Sequence, residues 1–129
     1  MQLTTNWLDR RIAAPGPYLA LCLSEDEFRA ATLHLKAPEI PRWCSKDAMT
    51  HTFEHEDGGV CCIVCMKGWY GRDPIEVAGL LVHEAVHVWQ KYADDIGERF
   101  EGAEQEAYAI QAIAQELLAE FARRMGVRA

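Results

Sequence analysis

The sequence predicts one α+β domain, and three observations carry that prediction. A strand-like run and a helix-like run come first, with no internal repeat to suggest a solenoid. Two β-rich runs then flank "DGG", and Asp-Gly between β-formers is a strong hairpin signal. Two long segments with helical periodicity and helix-capping residues follow. The order strand, helix, hairpin, helix, helix is α+β. A chain of 129 residues, half of them hydrophobic, suits a single core, so residues 1–129 are expected to form one domain.

The elements are justified in turn. "PYLALCLS", residues 17–24, is a short apolar run after the turn-rich "APGP" and predicts a buried strand. Ser24 sits three residues before Glu27, the spacing of a capping box. A first helix with Phe28, Ala31, Leu33 and Leu35 on its apolar side follows. Two prolines break residues 36–47 into a loop. "MTHTFEHE" (49–56) and "VCCIVCM" (60–66) are the hairpin strands.

After "KGWYGR", Asp73 can cap a helix, Pro74 suits its first position and Glu76 completes the box. That helix is expected over about 74–92. It is apolar on nearly every side, which predicts a central, buried helix. A last helix is expected over about 101–125, with Arg123 and Arg124 in its final turn and Gly126 as its stop.

The formal net charge of −7 argues against a phosphate-tracking surface, so neither nucleic acid nor anionic membrane is an expected partner. The opening "MQLTTNWLDRR" lacks a basic start followed by an apolar run. No apolar stretch approaches the roughly 20 residues of a membrane span. The expectation is a cytoplasmic protein made without export, with its five cysteines reduced.

The chemistry is concentrated in "LLVHEAVHVWQ", residues 80–90. Residues four apart on a helix share a face, so His83 and His87 can offer two imidazole nitrogens to one ion about 2 Å away. Glu84 can reach a water held there and take its proton. The plainer alternative is a buried helix with hydrogen-bonded histidines. Two imidazoles and a carboxylate within an apolar helix are costly unless partnered, and a metal would partner all three.

A catalytic zinc needs a third protein ligand and one open position. The metzincin form of the motif wants Gly at 90 and His at 93; Gln90 and Ala93 stand there instead. The downstream acids are Asp94, Asp95, Glu98, Glu101, Glu104 and Glu106. Ile110, Ile113, Leu117 and Phe121 form one stripe of the last helix, and extending it back by four residues reaches Glu106. Glu106 therefore heads the face expected to pack on the histidine helix, and is the first choice of ligand. Glu104 and then Asp94 stand behind it.

The cysteines of "CCIVC" have zinc-knuckle spacing, but residues three apart on a strand point to opposite faces. They are expected to be buried and inert. His51 and His55 are expected to pack on the hairpin, with a cleft-facing role open to either. Trp69 and Tyr70 could line a substrate entrance or serve as packing anchors.

These residues resemble the gluzincin clan of zinc metallopeptidases, which includes thermolysin and the aminopeptidases related to leukotriene hydrolase. That pattern is H-E-x-x-H on one helix and a glutamate on the next. In the aminopeptidase branch eighteen residues separate the second histidine from the glutamate, and here residues 88–105 separate His87 from Glu106. The match is specific over residues 74–125 and only architectural before them. The compact form resembles a minigluzincin of bacterial or phage origin.

The resemblance implies a minimal zincin-like domain in which a small antiparallel sheet packs on the active-site helix. It implies Zn2+ as cofactor, His83, His87 and Glu106 as ligands, and Glu84 as catalytic base. It implies a peptide or protein substrate lying along the hairpin's edge. The aspartate that braces a histidine in thermolysin-like members is replaced by Ile110. Tyr92, Tyr108 and Tyr70 are the candidates for holding the oxyanion. The competing expectation is a non-catalytic, phage-derived metal-binding structural or assembly protein that keeps the fold.

Overall fold

The computed structural model describes residues 18–54, 59–95 and 102–126. The described elements are β1 (Tyr18–Cys22), α1 (Glu25–His34), β2 (Ala48–Glu54), β3 (Val60–Met66), α2 (Pro74–Asp95) and α3 (Ala103–Arg124). The α+β class therefore holds, as three helices on a three-stranded sheet, but that sheet is mixed and not the antiparallel one expected.

The sheet order is β1-β3-β2. β2 and β3 pair antiparallel, with Thr50 opposite Val64 and Phe53 opposite Cys61. β1 pairs parallel to β3, with Tyr18 opposite Cys61 and Cys22 opposite Cys65. The expected hairpin pairing is present, although its turn, with His55 and Asp57, lies outside the described residues.

β3 is the central strand, and all seven of its residues are buried. A strand covered on both faces needs an unbroken apolar run, which "VCCIVCM" supplies. Val60, Cys62, Val64 and Met66 join Leu19 and Leu21 in the core beneath α2 and α3. Cys61, Ile63 and Cys65 face the other way, into the core under Phe28 and Ala31 of α1. Cys62 and Cys65 thus enter different cores, as the strand period of two requires.

α1 begins as its sequence predicts. Glu27 N–H donates to Ser24 Oγ at 3.2 Å, and Glu27 Oε1 in turn accepts from Leu23 N–H at 3.4 Å. Its buried side is Phe28, Ala31 and Thr32; Leu33, expected there, is 69% exposed. At about 100° per residue, position 33 lies nearly opposite the stripe that 28, 31 and 35 define.

The loop into α2 is pinned at several points. Lys67 and Gly68 N–H groups both donate to Asp47 O, and Arg72 joins Asp47 to Glu76 through contacts of 2.7 and 2.9 Å. A Cβ on Gly68 would stand 2.9 Å from Arg72 and 3.0 Å from Asp47, so only glycine fits there without displacement. Asp73 Oδ1 accepts from Ile75 N–H at 2.7 Å at the start of α2. Glu76, expected to complete a capping box, is instead the partner of Arg72.

α2 packs against β2, β3 and α3, while α3 also reaches β1. α2 is not buried all round. Val77, Leu81, Ala85, Val88 and Tyr92 form its inner face, whereas Ile75 and Val82 are 79% and 42% exposed. The α3 stripe is as expected: Ile113 and Leu117 are fully buried, and Ile110 and Phe121 pack at the margin. Gly126, at φ +77, stops α3 in the left-handed region. Among the described residues no helix is long and apolar enough to cross a membrane.

Candidate metal centre

The histidines of α2 meet as their spacing requires. His83 Nε2 and His87 Nε2 are 3.2 Å apart, with ring centroids at 4.8 Å and ring planes at 75°. Two nitrogens each 2.0–2.1 Å from a tetrahedral zinc stand about 3.3 Å from one another. The pair therefore already has the separation that two zinc ligands need. His83 is exposed and His87 half-buried, on the outward side of the helix and not toward α3 as the sequence suggested.

Gln90 supports this pair from one turn further on. His87 Nδ1 donates to Gln90 Oε1 at 3.0 Å. An amide oxygen only accepts, so with Oε1 turned to the ring this contact fits the tautomer that has the proton on Nδ1 and the lone pair on Nε2.

Glu84 lies between the histidines and the sheet. Its side chain is 4% exposed, and Oε1 accepts from Thr50 Oγ1 at 2.8 Å. Thr50 is on β2, an edge strand of the sheet. The carboxylate is thus buried, fixed by a hydroxyl and one residue from a histidine.

Glu106 is placed elsewhere. It is exposed on the first turn of α3, and its Oε2 accepts from Trp89 Nε1 at 3.1 Å. At about 100° per residue, Trp89 lies roughly 160° around α2 from His87 and 120° from His83. Glu106 does pack on the histidine helix, as its stripe predicts, but on the other flank. Among the described residues no three His, Cys, Asp or Glu side chains are arranged to hold a metal ion. Two of the three expected ligands therefore fit zinc, and the third stands apart. Asp94 and Glu104 are exposed, while Glu98 and Glu101 lie outside the described residues.

The tyrosine candidates are also apart from the pair. Tyr92 is 5% exposed in the core, with its ring 6.2 Å from that of Trp89, and Tyr108 is 63% exposed on α3. Tyr70 is 87% exposed beside Trp69. Trp69 is an anchor: its Nε1 donates to Leu23 O at 3.1 Å and its ring meets Phe121 edge-on.

His51 faces α1. Its ring stacks 4.9 Å from Phe28, and its Nε2 lies 2.8 Å from Trp43 O. Being adjacent to Thr50 on a strand, it points away from Glu84. All five cysteines are buried, and none is in a disulfide. Burial pushes the Cys22 thiol up to about 12 and raises Cys65 and Cys44 as well. These are inert packing groups.

Thr50 and Gln90 are the site residues that sequence reasoning missed. Gln90 had a signal, since a position three residues after a histidine shares its helix face. Thr50 had none, because its contact depends on how the sheet sits under α2. Compared with family models, with curated proteins and with solved structures, the chain gives no match.

Proposed function

We propose that the protein is a zinc-dependent peptidase of the gluzincin type. One observation carries the proposal: the His83 and His87 Nε2 atoms stand 3.2 Å apart beside a buried Glu84. An isolated ion pair or core helix has no need of that combination.

His83 and His87 would hold the ion through Nε2. When bound, zinc supplies Lewis acidity toward a carbonyl and toward water. Glu84 then takes a proton from the water and passes it to the leaving amine nitrogen. Thr50 occupies one carboxylate oxygen and leaves the other for that proton. The β2 edge offers backbone groups along which an extended peptide substrate can pair.

Glu106 remains the proposed third ligand, on an energetic argument. Its present tether is one neutral donor on a carboxylate, worth about 1–3 kcal/mol net. Apparent binding energies of structural zinc reach about 10–16 kcal/mol. That energy belongs to a complete ligand set, so to join the histidines the Glu106 carboxylate would have to leave Trp89 and cross to the other flank of α2.

The position of Glu106 also favours a second reading. A metal held by the histidines without Glu106 belongs to a non-catalytic structural or assembly protein. Metal analysis of the purified chain beside Glu106→Ala, with a peptide-library assay of wild type and Glu84→Gln, separates the two. The peptidase predicts one zinc, at least tenfold weaker binding in Glu106→Ala, and cleavage that Glu84→Gln abolishes without loss of zinc. Zinc binding indifferent to Glu106, with no metal-dependent cleavage, supports the structural reading. A wild-type chain that takes up no zinc removes both.

A further inference from the structure

Of the groups around the histidines, Gln90 has no part in the zinc chemistry set out above. We infer that Gln90 is the positioning residue of this site: its carboxamide oxygen holds His87 as the Nδ1–H tautomer and so presets Nε2 for a divalent cation. The inference rests on the zinc reading for its metal, but its structural half can be measured without metal.

A neutral imidazole carries one N–H and one lone pair. If the proton sat on Nε2, the nitrogen aimed at His83 would have no lone pair to give. The Gln90 oxygen accepts at 3.0 Å from Nδ1, which removes that option. The His87 Nε2 lone pair then faces His83 Nε2 at 3.2 Å. With His87 as that tautomer, a hydrogen bond across this contact would be donated by His83 Nε2–H. To offer Nε2 to a metal as a neutral ring, His83 would move its proton from Nε2 to Nδ1, whereas His87 would need no such change.

All three residues lie on α2, at positions 83, 87 and 90. The preset geometry therefore does not depend on where α3 or its Glu106 stands. This matters because Ile110 packs against the core and carries no group that could brace a ring. Gln90 does that work from the ligand's own helix. Loss of an outer partner of a metal-bound histidine typically weakens metal binding 10–100-fold.

The test uses the full chain labelled with 15N-histidine, and Zn2+ alone as probe. Long-range 1H–15N correlations of the metal-free protein report the tautomer of His87. Competition with a chromophoric chelator reports zinc affinity for wild type, Gln90→Leu, Gln90→Glu and the control His87→Ala. Circular dichroism checks that each variant is folded, and position 90 is exposed.

The expected result is an Nδ1–H tautomer in wild type that is lost in Gln90→Leu. Zinc affinity should fall 10–100-fold in Gln90→Leu and return to within about threefold of wild type in Gln90→Glu, whose carboxylate also accepts. A tautomer or affinity indifferent to Gln90→Leu overturns the inference while leaving zinc on the histidines. If wild type binds zinc no better than His87→Ala, the zinc reading falls and the role of Gln90 toward metal falls with it.

Discussion

Thr50 and Glu84, thirty-four residues apart in the chain, meet through a 2.8 Å hydrogen bond that ties the β2 edge to the middle of α2. This contact sets where the candidate base stands relative to the sheet. It also makes Thr50 responsible for a carboxylate that is 4% exposed.

Replacing Thr50 by Val keeps the shape and removes the donor. A buried carboxylate left without its hydroxyl costs about 1–3 kcal/mol. Thr50→Val should lose that much stability in urea denaturation at neutral pH, while Thr50→Ser stays within about 1 kcal/mol of wild type because it keeps the hydroxyl. Equal stability of the valine and serine variants would show that the hydrogen bond contributes nothing.

A second long-range tie closes the other end of the molecule. Arg124 donates to both carboxylate oxygens of Glu27, at 2.8 and 2.7 Å, joining the end of α3 to the start of α1. Burial opposes the charge on Glu27, but the hydrogen bonds and charge of Arg124, with the Leu23 N–H and Ser24, hold its carboxyl below the ordinary value of 4.5. A carboxyl whose folded pKa is depressed stabilises the fold above its unfolded value and loses that contribution as pH falls through the folded one. Arg124→Met should therefore cost about 1–2 kcal/mol at pH 7, in line with a partly shielded bidentate pair. The difference from wild type should be flat above pH 5 and shrink as acid takes the solution below 4.5. Denaturation curves across that range check it, and a gap that widens in acid would be wrong in sign.

What was legible in the sequence is what local chemistry decides. Ser24 and Glu27 announce the start of α1, Asp73 and Pro74 the start of α2, and Gly126 the end of α3, because caps and left-handed stops act over three or four residues. The β2–β3 pairing follows from an Asp-Gly turn signal between two β-rich runs. The parallel pairing of β1 with β3 has no such local signal, since its register depends on the intervening chain. The same limit applies to the site. The His83–His87 separation is a property of one helix and could be read from spacing. Glu106 was assigned by the phase of α3, which shows that it faces α2 but not which flank of α2 it meets. The structure puts it on Trp89. Leu33 and the outer face of α2 were misjudged because hydrophobicity alone does not report which side is covered.

The thiols offer an independent check on the core. Cys61 and Cys65 lie on one side of β3 and Cys62 on the other, and all five cysteines are buried. Thiolate is the reactive form, and burial raises Cys22 to about 12, so little of it forms at pH 8. A disulfide-exchange reagent at pH 8 should titrate almost no thiol in the native chain within minutes. It should titrate five in guanidinium. Adding a chelator should not speed the native reaction. Release of two or more thiols by chelator would mean that cysteines hold a metal after all.

The two sides of α2 provide the last test, because they contrast two apolar residues of similar size on one helix. Leu81 is fully buried between the sheet and α3, whereas Ile75 is 79% exposed. Truncating a buried leucine removes its transfer energy and leaves a cavity, a loss of about 2–5 kcal/mol. Leu81→Ala should lose that amount in chemical denaturation. Ile75→Lys should stay within about 0.5 kcal/mol of wild type, because a charged side chain at an open position displaces nothing. If α2 were covered on every side, Ile75→Lys would bury an unpaired ammonium and match or exceed the cost of Leu81→Ala. The His83–Glu84–His87 segment shares this geometry: Glu84 inside, the histidines toward solvent, where a cation and a substrate can reach them.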